Sequence, residues 1–184
     1  MKSNSRHIIL FSLLVIVPVL AFGQPKVNWV SFEEAERLSA DNPKKIMVDM
    51  YTDWCTYCKK MDSGPLCKEN IINYINDNYY AVKFNAESKK NIEFNNQTYK
   101  YVKSGKNSYN ELALELTRGR LSYPAIVFID EDLNIIQAIH GYMHPDKLEK
   151  VMIYFSDDYF KTTPWVTFQR NFESSIKAKE VTQY

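Results

Sequence analysis

Two cysteines three residues apart, in Trp54-Cys55-Thr56-Tyr57-Cys58, are the part of this 184-residue sequence best equipped for chemistry. A short apolar run precedes them, Ile46-Met47-Val48-Asp49-Met50-Tyr51, which reads as a strand buried on both faces. From Cys55 to about Met61 the pattern turns helical. Free N–H groups and the helix dipole at a helix start favour a thiolate, so Cys55 is expected to be the attacking nucleophile. Its side chain should face outward. Cys58, one turn on, should face the protein and act as the resolving thiol. The spacing lets the pair close a small disulfide ring across the first helical turn. The same spacing is half of many zinc sites, with His140 and His144 as the other available ligands. A strand end followed by a turn would splay those two rings, so no metal is expected.

Asp49 is the anomaly of the apolar run. An ionised, unpaired carboxylate there costs several kcal/mol, so its pKa should rise. Six residues before Cys55, it would lie below the helix start, where it could take the proton of Cys58. The competing role is a structural carboxylate bonded to backbone or to Lys45. Tyr123-Pro124 is a third element, because proline is tolerated at a strand start. A cis bond there would free the preceding N–H and C=O to pair with an extended peptide, although cis X–Pro bonds are uncommon. Cys67 lies nine residues after Cys58, about 13 Å along a continuous helix. It is expected to be a small buried residue rather than a third redox thiol.

These residues need a scaffold, and the periodicity supplies one. Ser31-Phe-Glu-Glu34 is a capping box opening a helix to about Ala40. Ile71, Ile72 and Ile75 mark a helix ending near Asn78, and Tyr80 to Phe84 reads as a strand. Residues 86–121 form a long connection. In it Asn95-Asn96 marks a hairpin, and Ser108-Tyr-Asn-Glu111 is a second capping box before a helix through Leu116. Ala125–Ile129 and Ile135–His140 read as strands joined at Asp130-Glu131-Asp132. Pro145 opens a helix with Leu148, Val151, Met152 and Phe155 on one face. A last helix begins at Thr163-Pro164 and carries a Trp165, Phe168, Phe172 stripe; no structure is expected beyond Lys177. A parallel βαβ half followed by an antiparallel ββα half predicts an α/β fold on one mixed sheet.

Apolar residues are 45% and charged residues 24% of the chain, enough for one globular core. That profile excludes low-complexity disorder, and three cysteines cannot staple a disulfide scaffold. A net charge of +1 gives no general attraction to nucleic acid. Lys2 and Arg6 precede an apolar run from Ile8 to Phe22, shorter than a membrane span, and Ala21-Phe22-Gly23 offers small residues for cleavage. Residues 1–23 therefore read as a signal peptide cut near Gly23-Gln24. Removing Lys2 and Arg6, with no acid between them, turns the charge from +1 to −1. The mature chain is expected in a periplasmic or secreted location, where disulfides persist.

Asp49, Trp54 through Lys59, Pro124 before Ala-Ile-Val-Phe, and Gly141 after the next strand resemble the thioredoxin superfamily. Trp54 through Met61, Phe84-Asn-Ala-Glu87 and Arg118-Gly-Arg-Leu-Ser-Tyr-Pro124 are similar to exported thioredoxin-related proteins of Bacteroidetes-type bacteria. The resemblance covers roughly residues 28–157. It implies a thioredoxin fold with an inserted hairpin plus helix at 86–121 and an added helix in a C-terminal extension from 158. It also implies a cis Pro124, a reversible Cys55–Cys58 disulfide, a supporting Trp54, and Tyr123, Tyr57 and Gly141 bordering the substrate. Thioredoxin has Gly-Pro between its cysteines where this sequence has Thr56-Tyr57, and those residues help set the potential. The function implied is thiol–disulfide exchange on exported proteins, as a reductase fed by a membrane reductase, with no cofactor. An oxidase or isomerase on the same site, or a binding module without catalysis, are the alternatives.

Overall fold

The computed structural model describes residues 25–104 and 107–181. The expected signal peptide lies outside these residues. In chain order the elements are Trp29–Val30 (β1), Phe32–Asp41 (α1), Ile46–Tyr51 (β2), Thr56–Ser63 (α2), a 3₁₀ turn at Pro65–Cys67, Glu69–Asn78 (α3) and Tyr80–Asn85 (β3). The connection 86–121 holds Ile92–Phe94 (β4), Gln97–Tyr99 (β5), Tyr101–Ser104 (β6), Asn107–Asn110 (β7) and Glu111–Leu116 (α4). Ala125–Ile129 (β8), Ile135–His140 (β9), Pro145–Ser156 (α5), Tyr159–Thr162 (α6) and Trp165–Val181 (α7) complete the chain. No helix of the described residues is long and apolar enough to cross a membrane.

One sheet has the order β1-β3-β2-β8-β9. β1 and β2 run parallel to β3, whereas β8 is antiparallel to both β2 and β9. This is the mixed sheet that the α-β-α-β and β-β-α halves predict. β2 is its middle strand, which explains why its residues are apolar on both faces. Ile46, Val48 and Met50 join Phe32, Val82, Phe84 and Leu112 in one core. Met47 joins Met61, Ile71, Ile126, Phe128 and Leu148 in the other. Successive side chains alternate faces, so Lys45 and Asp49 share the side of Met47, the side covered by α2, α3 and α5. That alternation decides where the one acid of the strand must go.

Local signals account for most boundaries. Ser31 Oγ accepts from Glu34 N at 3.2 Å and caps α1. Asn95 and Asn96, both left-handed, make the tight turn between β4 and β5. The connection holds a second hairpin that the sequence did not suggest, β6 against β7. It displaces the capping box expected at Ser108, which lies in β7 opposite Lys103. The cap is Asn110, whose side-chain oxygen accepts from Leu112 N at 3.1 Å. Its amide donates to the carbonyls of Ser88 and Lys90, so burial pins this residue rather than Ser108 to the turn. α7 continues four residues past Lys177, to Val181, where no structure was expected.

Candidate redox site at the start of the second helix

Cys55 is the N-cap of α2, and its N–H donates to the carbonyl of Thr52 at 3.1 Å. Cys55 and Cys58 are joined by a disulfide, with their Cα atoms 5.3 Å apart. The N–H of Cys58 points at the Cys55 sulfur, 3.0 Å away. That donor is one of the unsatisfied N–H groups of the helix start, placed to stabilise a negative sulfur. The outward orientation expected for Cys55 is corrected here, since both cysteines are buried in the disulfide. The bond ties Cys55 Sγ to the inward-facing Cys58 and draws it down against the helix end.

Aromatic side chains border the disulfide. Trp54 and Tyr57 are 65% and 58% exposed, unusual for side chains this apolar. Trp54 is held at its indole by Glu87 Oε1, at 3.1 Å, and its ring meets Tyr123 edge-on at 5.9 Å. Burial, with the Glu87 charge nearby, pushes the Tyr123 phenol up to about 12. Tyr57 packs near Tyr142, and Lys60 lies over its ring.

The Tyr123–Pro124 bond is cis. Gly141 donates its N–H to the Pro124 carbonyl at 2.7 Å, and its φ of +91° suits a residue without Cβ. Its N–H thus braces the proline turn. His140 places Nδ1 3.2 Å from the Ser122 carbonyl, bracing the same turn from β9. His144 instead meets the Tyr142 ring edge-on. Among the described residues no cluster of three or more His, Cys, Asp or Glu side chains could hold a metal.

Asp49 is buried on the α2 side of β2. Its partner is Lys83, its direct neighbour in register on β3, at 2.6 Å, not Lys45. Burial raises the Asp49 pKa, Lys83 opposes that rise, and nearby Asp62 adds to it; the net direction is upward. Lys83 also bonds to the Asp62 carboxylate on α2 and lies under the rings of Trp29 and Tyr51. Neither Lys83 nor Asp62 was singled out from the sequence. The alternating pattern of β3 could have shown Lys83 on the face of Asp49, but the parallel register could not be read. Cys67 is exposed rather than buried. Its Sγ donates to the backbone carbonyl of Asp62 at 2.8 Å, beside a cleft of about 370 Å³ that Asp62 and Lys83 also line. The short turn after Gly64-Pro65 carries it to the surface.

A family model for thioredoxin-like domains matches residues 32–156, from α1 to the end of α5. The chain belongs to the thioredoxin-like family. The thiol:disulfide interchange protein DsbD of Haemophilus influenzae is 29% identical over 117 residues, covering 62% of this chain and 17% of that protein. The chain thus spans about a sixth of the length of that relative. A thioredoxin-fold protein from Helicobacter pylori superposes with a TM-score of 0.55 at 22% identity, over 77% of this chain and 87% of that one. A thioredoxin from Thermus thermophilus gives 0.53 at 15% identity, over 71% and 87%. The two superpositions share the fold. On that fold the paired Cys55 and Cys58 have the geometry to cycle between dithiol and disulfide.

Proposed function

We propose that this thioredoxin-like protein is exported and reduces disulfides in other exported proteins. One observation carries the reading: a Cys55–Cys58 pair capping a helix beside a cis Pro124, under an exposed aromatic rim. The basic and apolar residues 1–23 support export, with the domain following from residue 24 and the helical extension from 158. The similarity to DsbD supports exchange outside the cytoplasm, with a membrane reductase as electron source.

In the reduced protein the Cys55 thiolate attacks one sulfur of a substrate disulfide. A bond forms from Cys55 to that sulfur, and the other substrate sulfur leaves as a thiolate. The Cys58 proton passes to Asp49, and the Cys58 thiolate attacks Cys55 Sγ. The second substrate thiolate leaves, and both substrate thiolates take protons. The substrate gains two electrons, and the protein becomes the disulfide. Tyr123 offers its backbone beside the cis bond to an extended peptide, while Trp54, Tyr57 and the turn braced by Gly141 shape the approach. No metal or organic cofactor enters.

A Cys58→Ser variant should stop at the mixed disulfide on Cys55. Capture of exported, disulfide-bearing proteins through Cys55 would support the reading; capture of none would overturn it. An alkylating reagent should label Cys55 of the reduced protein much faster than Cys58, and equal rates would remove the nucleophile assignment. A reduction potential near the ~−120 mV of a strong oxidant would make the protein an oxidase instead.

A further inference from the structure

Lys83 is shared. Its ammonium binds Asp49, buried on β2, and Asp62, half-exposed on α2. Asp62 lies four residues after Cys58 on the same helix, so the two side chains occupy one face a single turn apart. Lys83 therefore links the Asp49 carboxylate to the helix that carries the resolving cysteine. The sharing has an electrostatic consequence. A lysine paired with Asp49 alone would spend its full charge stabilising the carboxylate, and a strongly stabilised carboxylate is a poor base. A second carboxylate on the same ammonium divides that charge.

We propose that Asp62 is a positioning residue for the resolving step: by sharing the Lys83 ammonium, it leaves Asp49 basic enough to take the proton of Cys58. The proposal rests on the proton-acceptor role given above to Asp49. The groups that face the cluster are few. α2 contributes Asp62, β3 contributes Lys83, and β2 and β1 contribute the Tyr51 and Trp29 rings against Lys83. Lys26 and Cys67 line the cleft alongside Asp62 and Lys83. On its other side Asp49 pairs in register with Ile126, which does not titrate. The direction agrees: the charge of Asp62 pushes the Asp49 pKa up, against the pull of Lys83. Asp62 also joins the buried pair to solvent, because it sits at the cleft.

The test is the pH profile of a single step. A peptide is loaded as a mixed disulfide on Cys55, and its release by Cys58 is followed from pH 4 to 9 in the full chain. Wild type should show a rate that rises with the ionisation of Asp49 to a plateau. In Asp62→Asn the rise should move to lower pH and the plateau should fall by about three- to tenfold, a fraction of the ~100-fold that a whole general base contributes. Asp62→Glu should restore both. In an Asp49→Asn background the rise is absent, and Asp62→Asn should add no further loss. An unmoved rise in Asp62→Asn overturns the inference while leaving the role of Asp49 intact. The same loss from Asp62→Asn with or without Asp49 also overturns it, because Asp62 would then act on the cysteines directly. A wild-type profile in Asp49→Asn removes the base itself, and the inference with it.

Discussion

A buried charge stands just before strand β2 and another lies inside it, and the two use the same three kinds of group in different order. Before the strand, Lys45 is 4% exposed and bonds to Glu131 at 2.8 Å and Asp158 at 3.1 Å, carboxylates that remain 37% and 43% exposed. Inside it the buried member is the acid, Asp49, with Lys83 and Asp62 toward solvent. Both trios are one lysine between two carboxylates, on one face of the sheet. At Lys45, burial pulls the ammonium pKa down, its two carboxylates outweigh that pull, and the net shift is upward. The charge is therefore fixed over the whole neutral range, and the trio is a staple tying β2 to the β8–β9 turn and to the end of α5. At Asp49 the surplus runs the other way, because burial outweighs the single lysine that it must share. The carboxyl of the buried member is therefore pushed upward, toward its neutral form, rather than held charged. Which partner is buried decides the direction: a buried lysine between two carboxylates is held charged, and a buried carboxylate that shares its lysine is pushed toward neutral.

The comparison breaks first at Asp49. Asp49→Asn should slow release of the mixed disulfide by about 100-fold while the first attack by Cys55 changes little. The same variant should gain stability to urea. A folded pKa above the unfolded one means that the native state binds more protons, so ionised Asp49 opposes folding as pH rises past the unfolded value. The gain in Asp49→Asn should grow with pH and level off above the folded value, as urea melts from pH 4 to 9 would show. A variant less stable at every pH, with an unchanged rate, would make both trios structural.

Lys83→Met sharpens the contrast. It removes the group that holds the Asp49 pKa down, so the rise in the release rate should move to higher pH, with roughly tenfold slower release near neutrality. Lys45→Met should do the reverse in kind: about 1–2 kcal/mol less stable, because its two carboxylates stay in solvent reach, and an unchanged release rate. A changed pH profile in Lys45→Met would erase the distinction. The smallest effect belongs to Cys67→Ser, which touches the Asp62 backbone and not its carboxylate. Disulfide reduction should stay within about threefold of wild type. A folded variant that loses turnover would bring Cys67 into the exchange.

The element order, the strand–CxxC–helix junction and the strangeness of Asp49 were legible in the residues, because each leaves a local mark. Ser31 and Glu34 mark a helix start, the apolar run of β2 marks a central strand, and an acid inside such a run marks a cost. The second hairpin of the 86–121 connection left none, since Tyr101–Ser104 and Asn107–Asn110 lack a strong alternating pattern. Asn110 took the cap from Ser108 through carbonyls some twenty residues away. Cys67 read as buried because it is a small residue near a helix start, and the turn after Gly64-Pro65 brought it out.

The sequence by itself determined that a carboxylate would be buried six residues before the first cysteine, since periodicity and composition are properties of neighbours along the chain. It did not determine the carboxylate's partner. Lys45, four residues away on the same face, lay nearer along the chain than Lys83, but in an extended strand it is more than 10 Å distant. The parallel register of β2 on β3 set Asp49 beside Lys83, and the packing of α2 over that face brought in Asp62. Register and helix packing are fixed by the whole core at once. The charge that tunes the buried acid was therefore decided by the tertiary structure alone.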